Sequence, residues 1–387
     1  MNYQQRKNQL MNRYPAISDL SQKALSRIPF IAKEYLEQGT DDEVTVNSNI
    51  ADLQKIKFRP HFLRGDLNPQ LETSLFGKKY SVPFGIAPVG LTSLMWPNTE
   101  RYLAKMAFEN NIPYTLSTVA AESFEKVSSL VGENGWFQLY TPRKREHTFE
   151  LLDQAKREGF TVLVITVDIP YPSRRQRSKR AGFTSPPKIT PSLVWQGIKN
   201  PIWTFETLKR GIPSLKIVEN HSQFSSAKNV NEFLSNRIGG NLDWEYIEVL
   251  KNYWKGTVVL KGILHQDDAQ KAVALGIDGI WVSNHGGRQF DGAVSSISAL
   301  PAIQQTVKGQ VKILFDSGVR SGLDIMRAIS LGADFVFLGR PFCYGVSALG
   351  AIGAFHVYEI LKEELSGNMK QVGVETIEQI QQLEPIV

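Results

Sequence analysis

Eight short runs of apolar and β-branched residues recur along the chain, each ending in small or polar residues. They cover 83–87, 114–117, 136–140, 162–168, 258–262, 279–284, 312–317 and 335–339. Most are continuously apolar rather than alternating, the pattern of parallel strands buried on both faces. Segments with helical spacing lie between them, at 100–110, 148–158, 266–275 and 322–331; in the first, Tyr102, Leu103, Met106 and Ala107 share one face. Leu275-Gly276 and Leu331-Gly332 read as helix ends with glycine at the C-terminal cap. Repeated strand–helix units predict an α/β fold, a TIM (β/α)8 barrel. The alternative is an open doubly wound sheet, but no G-x-G-x-x-G turn follows the first strand.

Two segments fall outside the repeat. Residues 1–60 read as a separate helical N-terminal extension, leaving 61–387 as the barrel, with a final long helix after Ala354. The gap from the fourth strand to the fifth is far longer than the others, which places an insertion at 171–240.

The chain has 387 residues, 42% hydrophobic and 21% charged, an ordinary globular composition that excludes disorder or a coiled coil as a whole-chain reading. Its single cysteine, Cys343, excludes an internal disulfide and any cysteine-based metal cluster, and its apolar surroundings read as buried packing. Residues 1–10 lack the apolar core of a signal peptide and no stretch is long enough to span a bilayer, so a cytoplasmic location is expected. The net charge of +6 is unevenly placed. The insertion holds Arg174, Arg175, Arg177, Lys179, Arg180, Lys188, Lys199, Lys209, Arg210, Lys216, Lys228 and Arg237 against only Glu206, Glu219 and Glu232. Trp195, Ile198, Trp203, Phe205 and Phe224 lie among these cations, a mixture suited to an anionic membrane surface. A solvated loop that lids the active site is the alternative. No nucleic-acid-binding motif accompanies the charge, so no nucleic-acid partner is expected.

Barrel enzymes carry their chemistry at the carboxyl ends of the strands. Here those ends read Ala87-Pro88-Val89-Gly90, Ser117, Gln138-Leu139-Tyr140, Thr166-Val167-Asp168, Lys261, Ser283-Asn284-His285-Gly286-Gly287-Arg288, Asp316-Ser317-Gly318-Val319-Arg320 and Gly339-Arg340. A purely structural barrel has no need of so many polar groups converging on one face. The last two ends suit a phosphate held by backbone N–H groups and arginine forks; pairing of Arg320 and Arg340 with helix carboxylates is the alternative. His285 is the best candidate base, Asp168 a partner that orients it, and Arg288 a clamp for a substrate carboxylate. No metal site is expected, because no second histidine or cysteine converges with His285.

The run Ser283-Asn284-His285-Gly286-Gly287-Arg288-Gln289 resembles the signature of the FMN-dependent 2-hydroxy-acid dehydrogenases and oxidases. Trp136–Tyr140, Val258–Gly262 and Asp316–Arg320 support the resemblance, which runs from Tyr35 through Arg340 into the C-terminal helix. Leu116-Ser117-Thr118-Val119, Lys261-Gly262-Ile263-Leu264 and 291–296 are most similar to bacterial respiratory L-lactate dehydrogenases, whereas Leu94-Met95-Trp96-Pro97 looks more like mandelate dehydrogenase.

The resemblance implies FMN across the barrel mouth. Pro88, Val89 and Gly90 would contact it through backbone, and Ser117, Gln138 and Thr166 would bond its ring. Lys261 would stabilise charge on the ring, and Ser283 and Asp316 would serve ring and ribityl contacts. Ser317, Gly318, Arg320, Gly339 and Arg340 would hold the phosphate. Arg175 and Arg288 would bind the substrate carboxylate, Arg175 being preferred to Arg174 by its spacing from Asp168. Tyr35 and Tyr140 would hydrogen-bond the carboxylate or hydroxyl, and His285, paired with Asp168, would be the base. The implied reaction is oxidation of an L-2-hydroxy acid, foremost L-lactate to pyruvate, with electrons passing to a quinone or other acceptor. An O2-using oxidase and an L-mandelate dehydrogenase are the alternatives. Gly90, where the oxidases usually carry alanine, favours a dehydrogenase, and Val119 stands where glycolate oxidase has a bulkier aromatic. The resemblance also implies a homotetramer and, through 171–240, peripheral contact with the cytoplasmic face of the inner membrane.

Overall fold

In a computed structural model, eight parallel strands close into a barrel. The structure describes residues 3–142, 145–183, 190–219 and 242–386. The barrel strands are β3 (Phe84–Ile86), β4 (Tyr114–Ser117), β5 (Gly135–Leu139), β6 (Val162–Thr166), β7 (Thr257–Ile263), β8 (Gly279–Val282), β9 (Lys312–Phe315) and β10 (Phe335–Leu338). They neighbour one another in chain order, with β10 pairing β3 to close the ring. Each predicted apolar run is therefore a barrel strand, with ends that differ by at most two residues, and the open sheet is excluded. The predicted helices also form, at Thr99–Glu109, Arg145–Arg157, Gln266–Ala274 and Gly322–Ser330. Gly276 and Gly332 follow the last two with φ of +66° and +106°, a conformation that glycine adopts without steric cost.

One element had no counterpart in the sequence reading. β1 (Thr73–Leu75) and β2 (Lys78–Tyr80) form an antiparallel hairpin. Its Leu75, Phe76 and Tyr80 pack with Trp136, Trp281, Phe335 and Phe337 from inside the barrel, so the hairpin plugs the end away from the polar strand termini.

Four helices precede the hairpin: α1 (Tyr3–Arg13), α2 (Ile17–Arg27), α3 (Phe30–Glu37) and α4 (Val44–Lys55). Their buried residues, among them Leu20, Ala24, Leu36 and Leu53, belong to the same core as the barrel and its outer helices. The C-terminal helix runs Ala351–Val372.

The described part of the insertion carries the helices Gln176–Arg180, Pro191–Lys199, Pro201–Arg210 and Lys216–Glu219. Lys188, Phe224, Lys228, Glu232 and Arg237 lie outside the described residues. No helix among the described residues is long and apolar enough to cross a membrane.

Candidate functional site

A cavity of about 710 Å³ opens where the carboxyl ends of the barrel strands meet, within the size range of small-molecule and cofactor sites. Of the residues singled out by sequence, Tyr35, Pro88, Val89, Gly90, Tyr140, Thr166, Arg175, Lys261, His285, Arg288, Asp316, Ser317, Gly318, Arg320, Gly339 and Arg340 line it. Ser117, Gln138, Asp168 and Ser283 do not, but each is hydrogen-bonded to a residue that does or to the next member of such a chain.

His285 follows β8 in a left-handed conformation with φ of +61°. Its Nδ1 lies 3.0 Å from one Asp168 oxygen and its Nε2 lies 3.1 Å from the Tyr140 hydroxyl. Donation from Nδ1 to the carboxylate leaves Nε2 as the acceptor, facing the Tyr140 hydroxyl at the cavity wall. Burial pushes the His285 pKa below its ordinary value; Asp168 pulls it back up, while Lys261 and Arg175 push it further down. Burial alone would raise the Asp168 carboxyl, but attraction to His285, the hydrogen bond between them and the charge of Lys261 together hold it below its usual value. The pair is thus set for a neutral imidazole against an ionised carboxylate. Burial also raises the Tyr140 and Tyr35 hydroxyls, so both are protonated hydrogen-bonding groups.

Behind this pair the polar groups form two short chains. Ser117 donates to Gln138 Oε1 at 2.8 Å, and Gln138 Nε2 donates to Thr166 at 2.9 Å, linking β4, β5 and β6. Lys261 Nζ lies 2.9 Å from an Asp316 oxygen and donates to Ser283 at 2.7 Å. Lys261 is 4% exposed, so this ion pair is almost wholly removed from water. A buried charge of this kind persists only when paired and hydrogen-bonded.

Four partly buried guanidiniums around the cavity have no carboxylate partner within 4 Å among the described residues. Arg288 donates to the carbonyls of Tyr35 and Gln38, and Arg340 to those of Leu36 and Gln38. Arg320 donates to the carbonyl of Val319, and Arg175 to Ser173 and Gln289. The alternative pairing of Arg320 and Arg340 with helix carboxylates does not occur among the described residues. Burial, reinforced by the neighbouring arginines, presses the Arg288 and Arg340 pKa values below the usual range. Uncompensated buried cations of this sort call for anions. They divide by position into two groups, Arg288 with Arg175 near His285, and Arg320 with Arg340 at the ends of β9 and β10. Arg174 also lines the cavity but is exposed, whereas Arg175 is partly buried with its guanidinium held in place.

The wall of the cavity is closely packed at two glycines. Gly339 would bring a Cβ to 3.0 Å from Val89, and Gly90 would bring one to 2.5 Å from Val119 Cγ2. Gly318 has φ of +86° and Ser317 the same value, a conformation that is costly for a serine, at a turn that lines the cavity. Glycine-rich backbone, two guanidiniums without a carboxylate partner and a buried cation on the cavity wall form a donor set suited to a phosphorylated, electron-accepting ring compound.

The sequence reading missed several contributors. Gln289 accepts from both Ser173 and Arg175. Phe183 stacks on Tyr35 with ring centroids 5.0 Å apart. Asn49 of α4 exchanges two hydrogen bonds with Asn284. Gln289 ends the recognised motif and was the only one of these with a signal in the sequence. Cys343 is buried, as expected, and burial pushes its thiol up to about 12.

The comparisons with known proteins agree with this chemistry. Residues 24–384 match the model of a family described as FMN-dependent dehydrogenase. The chain is 38% identical over 367 residues to an L-lactate dehydrogenase of Xanthobacter autotrophicus, covering 94% of each. It is 37% identical to an L-lactate dehydrogenase of Vibrio parahaemolyticus, covering 94% of this chain and 96% of the other. Among solved structures, a monotopic membrane protein, (S)-mandelate dehydrogenase, superposes with a TM-score of 0.88 at 31% identity, over 94% of this chain and 97% of that one. A mandelate oxidase superposes with a TM-score of 0.81 at 30% identity, over 97% and 99%.

Proposed function

The chain belongs to the FMN-dependent dehydrogenase family, and from that premise we propose that it oxidises L-lactate to pyruvate. It is an FMN-dependent oxidoreductase of 2-hydroxy acids; the substrate, the acceptor and the residue roles are the proposal. FMN, when bound, accepts the two electrons released as the alcohol carbon becomes a ketone. Gly90, Thr166 and Lys261 would hold its ring, with Ser117 and Gln138 supporting Thr166 and with Pro88 and Val89 along one side. Ser283 and Asp316 would serve the ring and ribityl chain, and Ser317, Gly318, Arg320, Gly339 and Arg340 the phosphate.

Arg288 and Arg175 bind the substrate carboxylate, which supplies the negative charge that these two cations otherwise lack. Tyr140 and Tyr35 hydrogen-bond the carboxylate and the hydroxyl. His285 takes up one proton from the substrate at Nε2, from C2 or from its hydroxyl, and Asp168 stabilises the resulting cation across the 3.0 Å contact. The observation that carries this reading is the His285–Asp168 pair aimed into a cavity that also holds two carboxylate-free arginines. Steady-state oxidation of L-lactate with an artificial acceptor tests it, with His285→Gln as the control that retains flavin and loses turnover.

A second substrate, L-mandelate, is favoured by the apolar lining from Met95, Val119, Ile169 and Phe183, which offers space for a ring. Parallel kinetics with the two acids rank them.

The acceptor is a quinone reached from the membrane surface. Helices Pro191–Lys199 and Pro201–Arg210 expose Val194, Trp195, Ile198, Ile202, Phe205 and Leu208, each more than half exposed. Lys199, Lys209 and Arg210 flank them. The same pair is tied to elements that also carry the cavity-lining Met95 and Tyr35, since Trp203 donates to the carbonyl of Leu94 and Gln196 accepts from the amide of Ile31. Apolar side chains ringed by cations suit an anionic leaflet, here the cytoplasmic face of the inner membrane. The assembly is a homotetramer, in which the exposed Phe62 and Leu63 are side chains that a subunit contact would cover; light scattering of the purified protein measures it.

A further inference from the structure

Helix α4 has a buried polar stripe that no packing argument requires. Thr45, Asn49 and Leu53 recur at four-residue spacing on its inner face; all three are buried and the first two are polar. Asn49 is 2% exposed and Asn284 4% exposed. Asn49 Nδ2 donates to Asn284 Oδ1 at 2.8 Å, and Asn284 Nδ2 donates to Asn49 Oδ1 at 2.7 Å. Each oxygen takes a second donor: Asn284 Oδ1 accepts from the amide of Gly287, and Asn49 Oδ1 from the amide of Ser296. The two side chains therefore close the turn Asn284-His285-Gly286-Gly287 from beneath.

The same stretch of α4 presses on the phosphate turn. A Cβ at Gly318 would lie 2.4 Å from the Asn49 carbonyl oxygen, and one at Gly287 would lie 2.6 Å from the Val46 amide nitrogen. The two turns also touch directly, because Gly286 N–H donates to Ser317 Oγ at 3.1 Å. His285 and Ser317 both hold left-handed backbone, at +61° and +86°. Such conformations persist only where the surroundings over-determine them.

We infer that Asn49 is a positioning residue that holds the His285 turn and the Ser317-Gly318 turn in one register, so that the base and the FMN phosphate site are set by the same helix. The inference rests on the reading of His285 as base and of the 317–320 turn as phosphate cradle. Neither its side chain nor its backbone is needed to touch substrate; its effect runs through Asn284 and Gly318.

The test is the isosteric Asn49→Asp, which keeps the acceptors and loses the donor to Asn284. Three quantities are read: FMN affinity of the apoprotein from quenching of free flavin emission, kcat per bound flavin with L-lactate, and KM. Small displacements of a reacting group cost large factors in rate. The expected result is a loss of about tenfold or more in kcat per bound flavin and a several-fold rise in the FMN dissociation constant, with KM within about twofold of the parent. Should aspartate prevent folding, Asn49→Ser is read the same way. A variant with parental kcat per bound flavin and parental FMN affinity overturns the inference, including one that is merely less heat-stable. His285→Gln run in parallel separates the two claims. An active His285→Gln contradicts the base assignment itself, whereas an inactive one beside a parental Asn49→Asp contradicts only the role of Asn49.

Discussion

Asp168 and His285 are 117 residues apart in sequence, on the ends of different strands, and their side chains meet at 3.0 Å. The carboxylate fixes which imidazole nitrogen faces the cavity and supplies the charge that a protonated His285 needs in a buried site. Asp168→Asn retains the shape and removes both effects. We expect kcat to fall roughly 10²–10⁴-fold, the span of a general acid–base contribution, with flavin content unchanged. Absorbance of the purified variant and steady-state assay measure the two.

The same pair fixes the sign of the pH dependence. Burial holds the His285 pKa below its usual 6.5, and a base must be neutral to act. The rate therefore falls as the pH drops through a value below 6.5, and is flat across neutral pH. Removing Asp168 takes away the main force raising that pKa, so the acid limb moves further toward low pH while the plateau falls. A pH profile of kcat/KM reads the free enzyme's value.

Arg288 donates from a rigid fork to two backbone carbonyls, which leaves the rest of its donors for an anion. Arg288→Lys keeps the charge and loses that geometry. One charge-assisted hydrogen bond is worth about 1.5–3 kcal/mol, or about ten- to 100-fold. The expected outcome is a KM for L-lactate raised by that factor. A KM unchanged within about twofold would remove Arg288 from carboxylate binding.

Gly90 and Val119 are in contact distance across the mouth of the cavity, with no space for a methyl between them. Gly90→Ala is expected to destabilise by about 1–3 kcal/mol, as overpacking does, and adding Val119→Ala should recover most of it. Urea unfolding of the two single variants and the double gives the coupling. The same three proteins, reduced and then exposed to air, show whether this contact sets reactivity toward oxygen.

The exposed apolar pair of helices at 191–210 predicts binding to vesicles with anionic lipid. Trp195→Glu with Phe205→Glu should abolish co-sedimentation while leaving turnover with a soluble acceptor intact. Unchanged sedimentation of the variant would contradict the membrane-facing role.

Much of this was legible in the sequence, for reasons tied to particular residues. Strands such as Val162–Thr166 are buried on both faces, so they read as continuous apolar runs. Asp168, Lys261, His285 and Asp316 stand out because each is polar directly after, or at the end of, such a run. The hairpin at 73–80 was not legible: its strands have three residues each, too short for a period to show. Asn49 was not legible either. A polar residue inside a helix reads as solvent-facing, and only the fold reveals that its partner is 235 positions away. The helical extension was visible, but its service to the barrel mouth depends on carbonyls of Tyr35, Leu36 and Gln38, and backbone atoms carry no side-chain signature.

The most direct test of the account is an anaerobic absorbance spectrum of the purified, FMN-loaded protein before and after L-lactate. The expected result is an oxidised flavin spectrum that bleaches on addition of L-lactate in the parent and persists in His285→Gln. A parent whose bound flavin stays oxidised in the presence of both L-lactate and L-mandelate would contradict it.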